Sequence, residues 1–250
     1  MLSSDEIISE TRRQLAIDLN CAPGDFDRDG FVFCEAKDNP GRRPFPRGER
    51  HFEMLTMGGA VIISATPDIQ SFIRERLSGE LDKKSRADAF SMPFVRGHGI
   101  YYLPDGPRPL PPPDGIAFDL VEQPEIAALY ALDGFHNALS YDINALRPDV
   151  LAVIARKDGV VAGVAGVSAD CEMLWQVGID VLPEYRRFGI AAALTNQLTL
   201  EILRRGKIPY YGTGVSKVAS QRVAHRAGYR VAWVCAYKGV FDGMMTAATG

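Results

Sequence analysis

Long hydrophobic runs are missing from this chain. No apolar stretch approaches the ~18 residues that a membrane-spanning helix needs, so no membrane association is expected. The first ten residues, Met1 to Glu10, are acidic and polar, unlike a secretory signal, and a cytoplasmic location is expected. A basic excess is missing too. The 28 Lys and Arg against 31 Asp and Glu leave a net charge of −3, which argues against a nucleic-acid-binding surface. Cysteine is sparse: Cys21, Cys34, Cys171 and Cys235 lie far apart and form no CxxC pair. His51, His98, His136 and His225 show no ligand spacing either. Reduced structural thiols and no metal are the expectation. A P-loop Lys-Ser pair and a Gly-x-Gly-x-x-Gly run are both absent, which counts against a nucleotide site.

One metal lookalike is present. Asp25-x-Asp27-x-Asp29-Gly30 matches the opening of a calcium-binding loop. The twelfth position, where a bidentate acid belongs, is Ala36, and Phe31-Val32-Phe33 favours a strand over an exiting helix. An acidic turn is the better reading.

What is there divides in two. Residues 104–115 carry proline at a density that no helix or inner strand tolerates, and they read as an extended, semi-rigid connector. The expected domains are a small α/β unit over 1–103, the connector over 104–115, and a second α/β unit over 116–250. In the first, Ser4 is expected to cap a helix whose apolar face is Ile7, Ile8, Leu15, Ile17 and Leu19. Strands are expected at 31–36, 52–55, 60–65 and 99–103. Thr66-Pro67 should start a helix lined by Ile69, Phe72, Ile73 and Leu77, and 85–92 reads as another.

The second unit alternates. A strand at 116–121 precedes helices at 124–132 and 135–141. Strands at 150–156 and 160–168 flank the hairpin signal Lys157-Asp158-Gly159. A strand at 173–181 feeds a helix at 190–205, whose stripe is Ile190, Leu194, Leu198 and Ile202. A strand at 208–215, a helix at 217–227 and a strand at 230–237 complete it.

The junction at 179–191 carries the chemistry. After Val181 comes a turn with Arg186 and Arg187, and then Gly189 and Ala191 open the long helix. Such a turn presents unpaired backbone N–H groups and the positive end of a helix dipole, the physical basis of a pyrophosphate site. Gly189 lets a phosphate approach the backbone, and Ala191 keeps the first helical turn slim. Either arginine can add charge-assisted hydrogen bonds, and Arg187 is favoured.

This pattern, Arg186-x-x-Gly189-x-Ala191 behind an apolar strand, resembles the signature of the GNAT (GCN5-related N-acetyltransferase) family. The order β-α-α-β-β-β-α-β-α-β resembles that family's order over the whole C-terminal half. Gln14-Leu-Ala-x-Asp-x-Asn-Cys21 and the Leu103-Pro-Asp exit resemble a bacterial subgroup with an extra N-terminal α/β domain. The resemblance implies a GNAT fold with a central mixed, splayed sheet flanked by helices. It implies acetyl-CoA as acyl donor and transfer to an amine of a small molecule or peptide, with a homodimer as a further possibility. Backbone groups of Ile179 and Val181 would pair with pantetheine. Phe188, Gly189, Ile190, Ala191 and Ala192 would meet the pyrophosphate, with Arg186 and Arg187 beside them. Lys217 stands where relatives carry a pantetheine-binding Asn, and Ser220 follows at the family's spacing.

The catalytic pattern departs from the family. Trp175 stands where many relatives have a general-base Glu, and Glu172, three residues earlier, is the candidate in its place. Ala224 stands where many have a general-acid Tyr, leaving Tyr211 or Tyr210 on the adjoining strand. Glu122, Glu125, Asp133, Asp142 and Glu172 are the acids expected to attract a cationic amine. These departures motivate a second reading, a non-catalytic acyl-CoA sensor or scaffold.

Overall fold

The structure is a computed structural model that describes residues 2–76 and 98–240. The residues divide into two compact units, one holding Tyr102–Val231 and the chain up to Ile8, the other Ser9–Tyr101 and the chain from Ala232. Of the three divisions, the first falls inside the N-terminal helix, the second just before the proline-rich stretch, and the third inside the last strand, a position that no feature of the sequence marks. Both units are mixed α/β with sheets flanked by helices.

Helix α1 (Ser4–Leu19) runs across the first division. Its cap is Ser3 rather than Ser4. The Ser3 hydroxyl accepts from the Glu6 N–H at 3.3 Å, and Glu6 Oε2 accepts from the Ser3 N–H at 2.7 Å, a reciprocal capping box. Leu15 and Leu19 are buried as expected, but Ile8 and Ile17 point outward. A helix turns 100° per residue, so Ala16 and Thr11 take the inner face instead.

In the second of the two units, β1 (Gly30–Glu35) pairs in parallel with β3 (Ala60–Ala65). Strand β2 (His51–Met57) pairs antiparallel with β3 and with the end of β10 (Tyr229–Val240). Helix α2 (Pro67–Arg76) lays Ile69 and Ile73 into this core. The expected Leu77 and the helix at 85–92 lie outside the described residues. The acidic stretch at 25–29 is a 3-10 turn leading into β1. Asp25 accepts from the Ala22 N–H and pairs with Arg28, and Asp27 pairs with Arg12. Those carboxylates balance arginines, and among the described residues no cluster of three metal-ligating side chains occurs.

The larger unit contains β5 (Ala117–Glu122), β6 (Asp149–Lys157), β7 (Val160–Ala169), β8 (Leu174–Val181) and β9 (Ile208–Gly214). Neighbours β5 to β8 pair antiparallel, and β8 pairs with β9 in parallel. Strand β4 (His98–Pro104) crosses the division. Asp158 (φ +50°) and Gly159 (φ +80°) give the β6–β7 hairpin the two left-handed residues that a tight turn needs.

Two layers cover this sheet. On one face lies α3 (Ile190–Arg204), with Ile190, Leu194, Leu198 and Ile202 all buried and α4 (Val218–Arg226) beside it. The other layer corrects two expectations. Residues 125–131 form a 3-10 helix instead of an α-helix, and 135–141 form a single turn closed by N–H bonds to the Phe135 carbonyl. Their apolar residues Ile126, Leu129, Phe135 and Leu139 pack on Ala152, Ile154 and Val164. Seven apolar residues in a row satisfied the sequence pattern without a cap or a second turn's worth of stripe to extend it.

The proline-rich stretch is docked along this unit. Asn196 on α3 is 1% exposed; its carbonyl accepts from the Leu110 N–H at 2.8 Å. Its amide donates to the Arg108 and Ala227 carbonyls, each at 3.0 Å. One side chain thus fastens a segment that has few N–H groups of its own to α3 and to the end of α4. Asn196→Ala orphans the buried Ala227 carbonyl, removes two part-buried hydrogen bonds to the Arg108 carbonyl and the Leu110 N–H, and is expected to cost about 1–3 kcal/mol. A lowered urea midpoint with an unchanged m-value checks this.

Candidate active site

Strands β8 and β9 pair only from Leu174↔Ile208 to Val177↔Tyr211. Beyond that, β8 runs on to Val181 and β9 to Gly214 without pairing to each other. The last four residues of β8 have no strand partner on that side, and the alternate backbone groups that face it, apart from the Val181 carbonyl, are groups that a ligand can satisfy. Around this parting lies a cleft of about 990 Å³, built wholly from the larger unit.

One end of the cleft is the start of α3. Gly189 takes φ +83°, and no side chain caps the helix. Its first N–H groups therefore point outward together with the positive end of the helix dipole. Arg187 holds φ +72°, a left-handed conformation that costs a non-glycine residue about 1–2 kcal/mol. The turn that brings the chain round into α3 is thus over-determined by its surroundings. Arg186 folds back, donating from Nε to the Val181 carbonyl at 3.0 Å. Arg187, Lys217 and Arg222 add positive charge to the lining of the cleft, which Ser220 shares.

The other end is polar and lies on the opposite face of the sheet. There the cross-strand neighbours Gly166 and Gly178 pass directly beneath residues 137–138. A Cβ on Gly178 would sit 1.7 Å from the Asn137 carbonyl oxygen, and one on Gly166 would sit 1.9 Å from that of Ala138. Asp180 fixes the same segment. Its carboxylate accepts from the N–H of Asn137 at 2.7 Å, of Ala138 at 3.1 Å, and from the Asn137 side chain at 2.7 Å. Asp149 holds Ser140, two residues further on, accepting from the Ser140 N–H and hydroxyl and from the Tyr130 hydroxyl. This end is completed by His136, Arg147, Ser168 and Gln176.

Tyr211 stands where the strands part. It is 3% exposed, its hydroxyl 2.7 Å from the Ser220 hydroxyl. Burial pushes its pKa above the ordinary value, with the Ser220 hydrogen bond a smaller pull downward. The ring therefore keeps its proton through the neutral and mildly alkaline range.

Most residues expected at the site line this one cleft. Ile179 and Val181 lie on the unpaired part of β8, and Gly189, Ile190, Ala191 and Ala192 form the start of α3. Arg186, Arg187, Lys217, Ser220 and Tyr211 also line it. Phe188 is placed outside, 64% exposed, with Lys157 Nζ 5.9 Å from its ring centre. Glu172 is exposed in the bend before β8 and does not line the cleft. Tyr210 alternates away from Tyr211 and bonds Asp170 on the opposite face. The cleft's carboxylates are Asp149 and Asp180, not the acids expected; Glu122 instead pairs with Arg205. The signal that marks the far wall is the alternate row Gln176-x-Gly178-x-Asp180, a polar and glycine face on a strand whose other face is apolar.

The profile of the GNAT acetyltransferase family matches residues 152–238, which span β6 to β10 and so hold the α3 turn and the parted strands. No curated protein sequence matches the chain. Among solved structures, the chain is similar to a GCN5-related N-acetyltransferase from Kribbella flavida, at 19% identity over 75% of this chain and 71% of that one, with a TM-score of 0.46. It is similar to an acetyltransferase of the GNAT family from Colwellia psychrerythraea, at 12% identity over 95% and 97%, with a TM-score of 0.45. A putative acetyltransferase from Salmonella typhimurium, solved with acetyl-CoA, is similar at 15% identity over 50% and 92%, with a TM-score of 0.37.

Proposed function

We propose that this chain is a GNAT-type acetyltransferase, a reading supported by the match of that family's profile to residues 152–238, and that it transfers an acetyl group from acetyl-CoA directly to an amine. The observation that carries this reading is the parting of β8 from β9 next to an uncapped helix start. The two features supply what a thioester joined to a diphosphate needs. Main-chain N–H groups at 189–192, with Arg187 and Lys217, take the diphosphate. The open edge of β8 at Ile179 and Val181 pairs with the amide-bearing arm. Gly189, with nothing closer than 4.0 Å to a Cβ built on it, leaves room for that approach.

The acyl donor supplies an activated carbonyl. A backbone N–H of β8 near Ile179 polarises it. An amine reaches the carbonyl from the side of His136, Ser140 and Gln176. The ammonium, with a pKa of ~10, first gives up a proton to water in the cleft. Asp149 and Asp180 hold the wall through hydrogen bonds and are not assigned that task. As the carbon–nitrogen bond forms, the carbon–sulfur bond breaks; the Tyr211 hydroxyl gives its proton to the departing sulfur, and the second proton, shed by the nitrogen as it becomes an amide, returns through water to the tyrosinate. Its raised pKa suits that role, since it stays protonated at the pH where the amine is deprotonated.

Thiol release from acetyl-CoA with a panel of amines tests the reading, alongside calorimetric titration with CoA. Amine-dependent release supports it. CoA binding without release on any amine favours the sensor instead. Tyr211→Phe is expected to lower kcat by about 10²-fold or more with CoA affinity nearly unchanged. An unchanged kcat would remove Tyr211 from the chemistry.

A further inference from the structure

The far end of the cleft contains a carboxylate with one oxygen left over. Asp149 begins β6 and lines the cleft, although it is only 5% exposed. Its donors are all neutral, and they converge on a single oxygen. The Ser140 N–H donates to Oδ2 at 2.7 Å, the Tyr130 hydroxyl at 2.8 Å and the Ser140 hydroxyl at 2.9 Å. Among the described residues, no hydrogen bond reaches Oδ1 and no ion pair includes Asp149. Nor is Oδ1 sealed inside the protein, so its lone pairs are open to the cleft. A carboxylate drawn this far out of water is costly unless a cation pairs with it.

The surroundings leave that need unmet. Arg147, two residues earlier, is engaged with Asp170 and Gln176. Asp180, the other carboxylate lining this end, accepts from Asn137 and Ala138, again neutral donors. His136 stands beside a further acid, Asp133, at 3.4 Å. The α3 end, by contrast, opens on Arg186 and Arg187. The cleft is therefore polarised along its length, with one end suited to a diphosphate and the other to a cation.

Position separates that cation from the reacting nitrogen. Asp149 lies opposite Ser168, and Ser168 lies opposite Gln176, so Asp149 is two strands away from β8. Ile179, where the thioester carbonyl is polarised, is a further three residues along β8. Strand spacing and rise put the two main-chain positions about 14 Å apart. Even with the Asp149 side chain and one hydrogen bond subtracted, a single nitrogen cannot reach both places. We infer that the acceptor carries a second cationic group at the end away from its reacting amine and that Asp149 binds it, making the substrate class aliphatic diamines and longer polyamines. The inference rests on the transferase reading above and narrows it. Asp149 then sets specificity without taking part in proton transfer.

Acceptors that differ only at the far end decide it. A series of α,ω-diamines is compared with alkylamines of equal chain length, with acetyl-CoA as donor and thiol release as readout. Diamines long enough to span the two places are expected to exceed the alkylamines in kcat/KM by roughly tenfold or more. The margin should narrow as salt is raised. Asp149→Asn keeps the shape and an acceptor oxygen for Ser140 and Tyr130 but removes the charge. It is expected to raise KM for the diamines by about 10- to 100-fold, with little change in kcat or in any reaction of the alkylamines. Turnover of alkylamines equal to or above that of diamines by the native enzyme overturns the inference while leaving the transferase standing. So does an Asp149→Asn variant that slows both alike. If that variant fails to fold, the native comparison of diamine with alkylamine decides alone. CoA binding without turnover on any amine overturns the transferase reading and this inference with it.

Discussion

Gly178→Ala should destabilise the larger unit by about 3 kcal/mol or more, the largest stability effect expected of any single methyl group in it. Most overpacked sites relax by turning a side chain. Here the obstacle is main chain: the new Cβ would sit 1.7 Å from the Asn137 carbonyl oxygen and 2.7 Å from its carbon. Relief requires residues 137–138 to lift off the sheet. That motion breaks the three hydrogen bonds to Asp180 and uncovers Ala138 and Leu139, which are 4% and 3% exposed. The lifted segment is the far wall of the cleft, so acceptor KM should rise as well. Gly24→Ala is the control, since nothing lies within 4 Å of its built Cβ and its backbone is not left-handed. A thermal midpoint lowered by roughly 6–12 °C for Gly178→Ala, with Gly24→Ala near the native value, is the expected pair of results. A native-like melt for Gly178→Ala would mean that 137–138 does not rest on the sheet.

The near half of the site was legible because its chemistry is local. A strand, a basic turn, a glycine and a slim helix start follow one another in 179–192, and the physics of a helix N-terminus needs no distant partner. The far half was not, because it is assembled by register. Asp180 meets Asn137 only once β8 lies beside the 135–140 turn, 43 residues back in the chain. Tyr210, Gln176, Asp170 and Arg147 meet only when three strands are aligned. Glu172 was attractive for its nearness in sequence to β8, yet it precedes the strand in an exposed bend, and the carboxylates in the cleft come from β6 and β8 themselves. The apolar residues of 135–141 fit a helix, and the structure has a single turn there. Its hydrogen bonds are instead spent on Asp180 and Asp149, and side-chain acceptors of that kind compete with helix formation. Likewise the last strand begins in one unit and ends in the other, which a local pattern of β-branched and aromatic residues does not reveal.

Ala191→Asp is expected to leave the fold intact or slightly firmer and to abolish binding of CoA. The two effects have opposite signs for one electrostatic reason. Ala191 is the second residue of α3, where a carboxylate meets the positive end of the dipole and contributes about 0.3–1 kcal/mol. That same field is what the proposed diphosphate uses. A carboxylate placed in the cleft at this position competes for the N–H groups of 190–192 and repels the phosphate oxygens. One unit charge pair 4 Å apart interacts by ~4 kcal/mol at the effective dielectric of a partly exposed site. Loss of CoA affinity by about 100-fold or more follows, even after screening by salt. Ala191→Asn separates charge from bulk. It has the same shape without the charge, and should bind CoA more weakly than the native chain but well above the Asp variant. The Asp variant's deficit should shrink as salt is raised, because Debye screening acts on repulsion and not on volume. Titration calorimetry of both variants at two ionic strengths, with melts run in parallel, reads all of this. Were Asp and Asn to bind CoA equally well at either salt, no diphosphate would lie at the start of α3, and the parted strands would have to hold something other than an acyl-CoA.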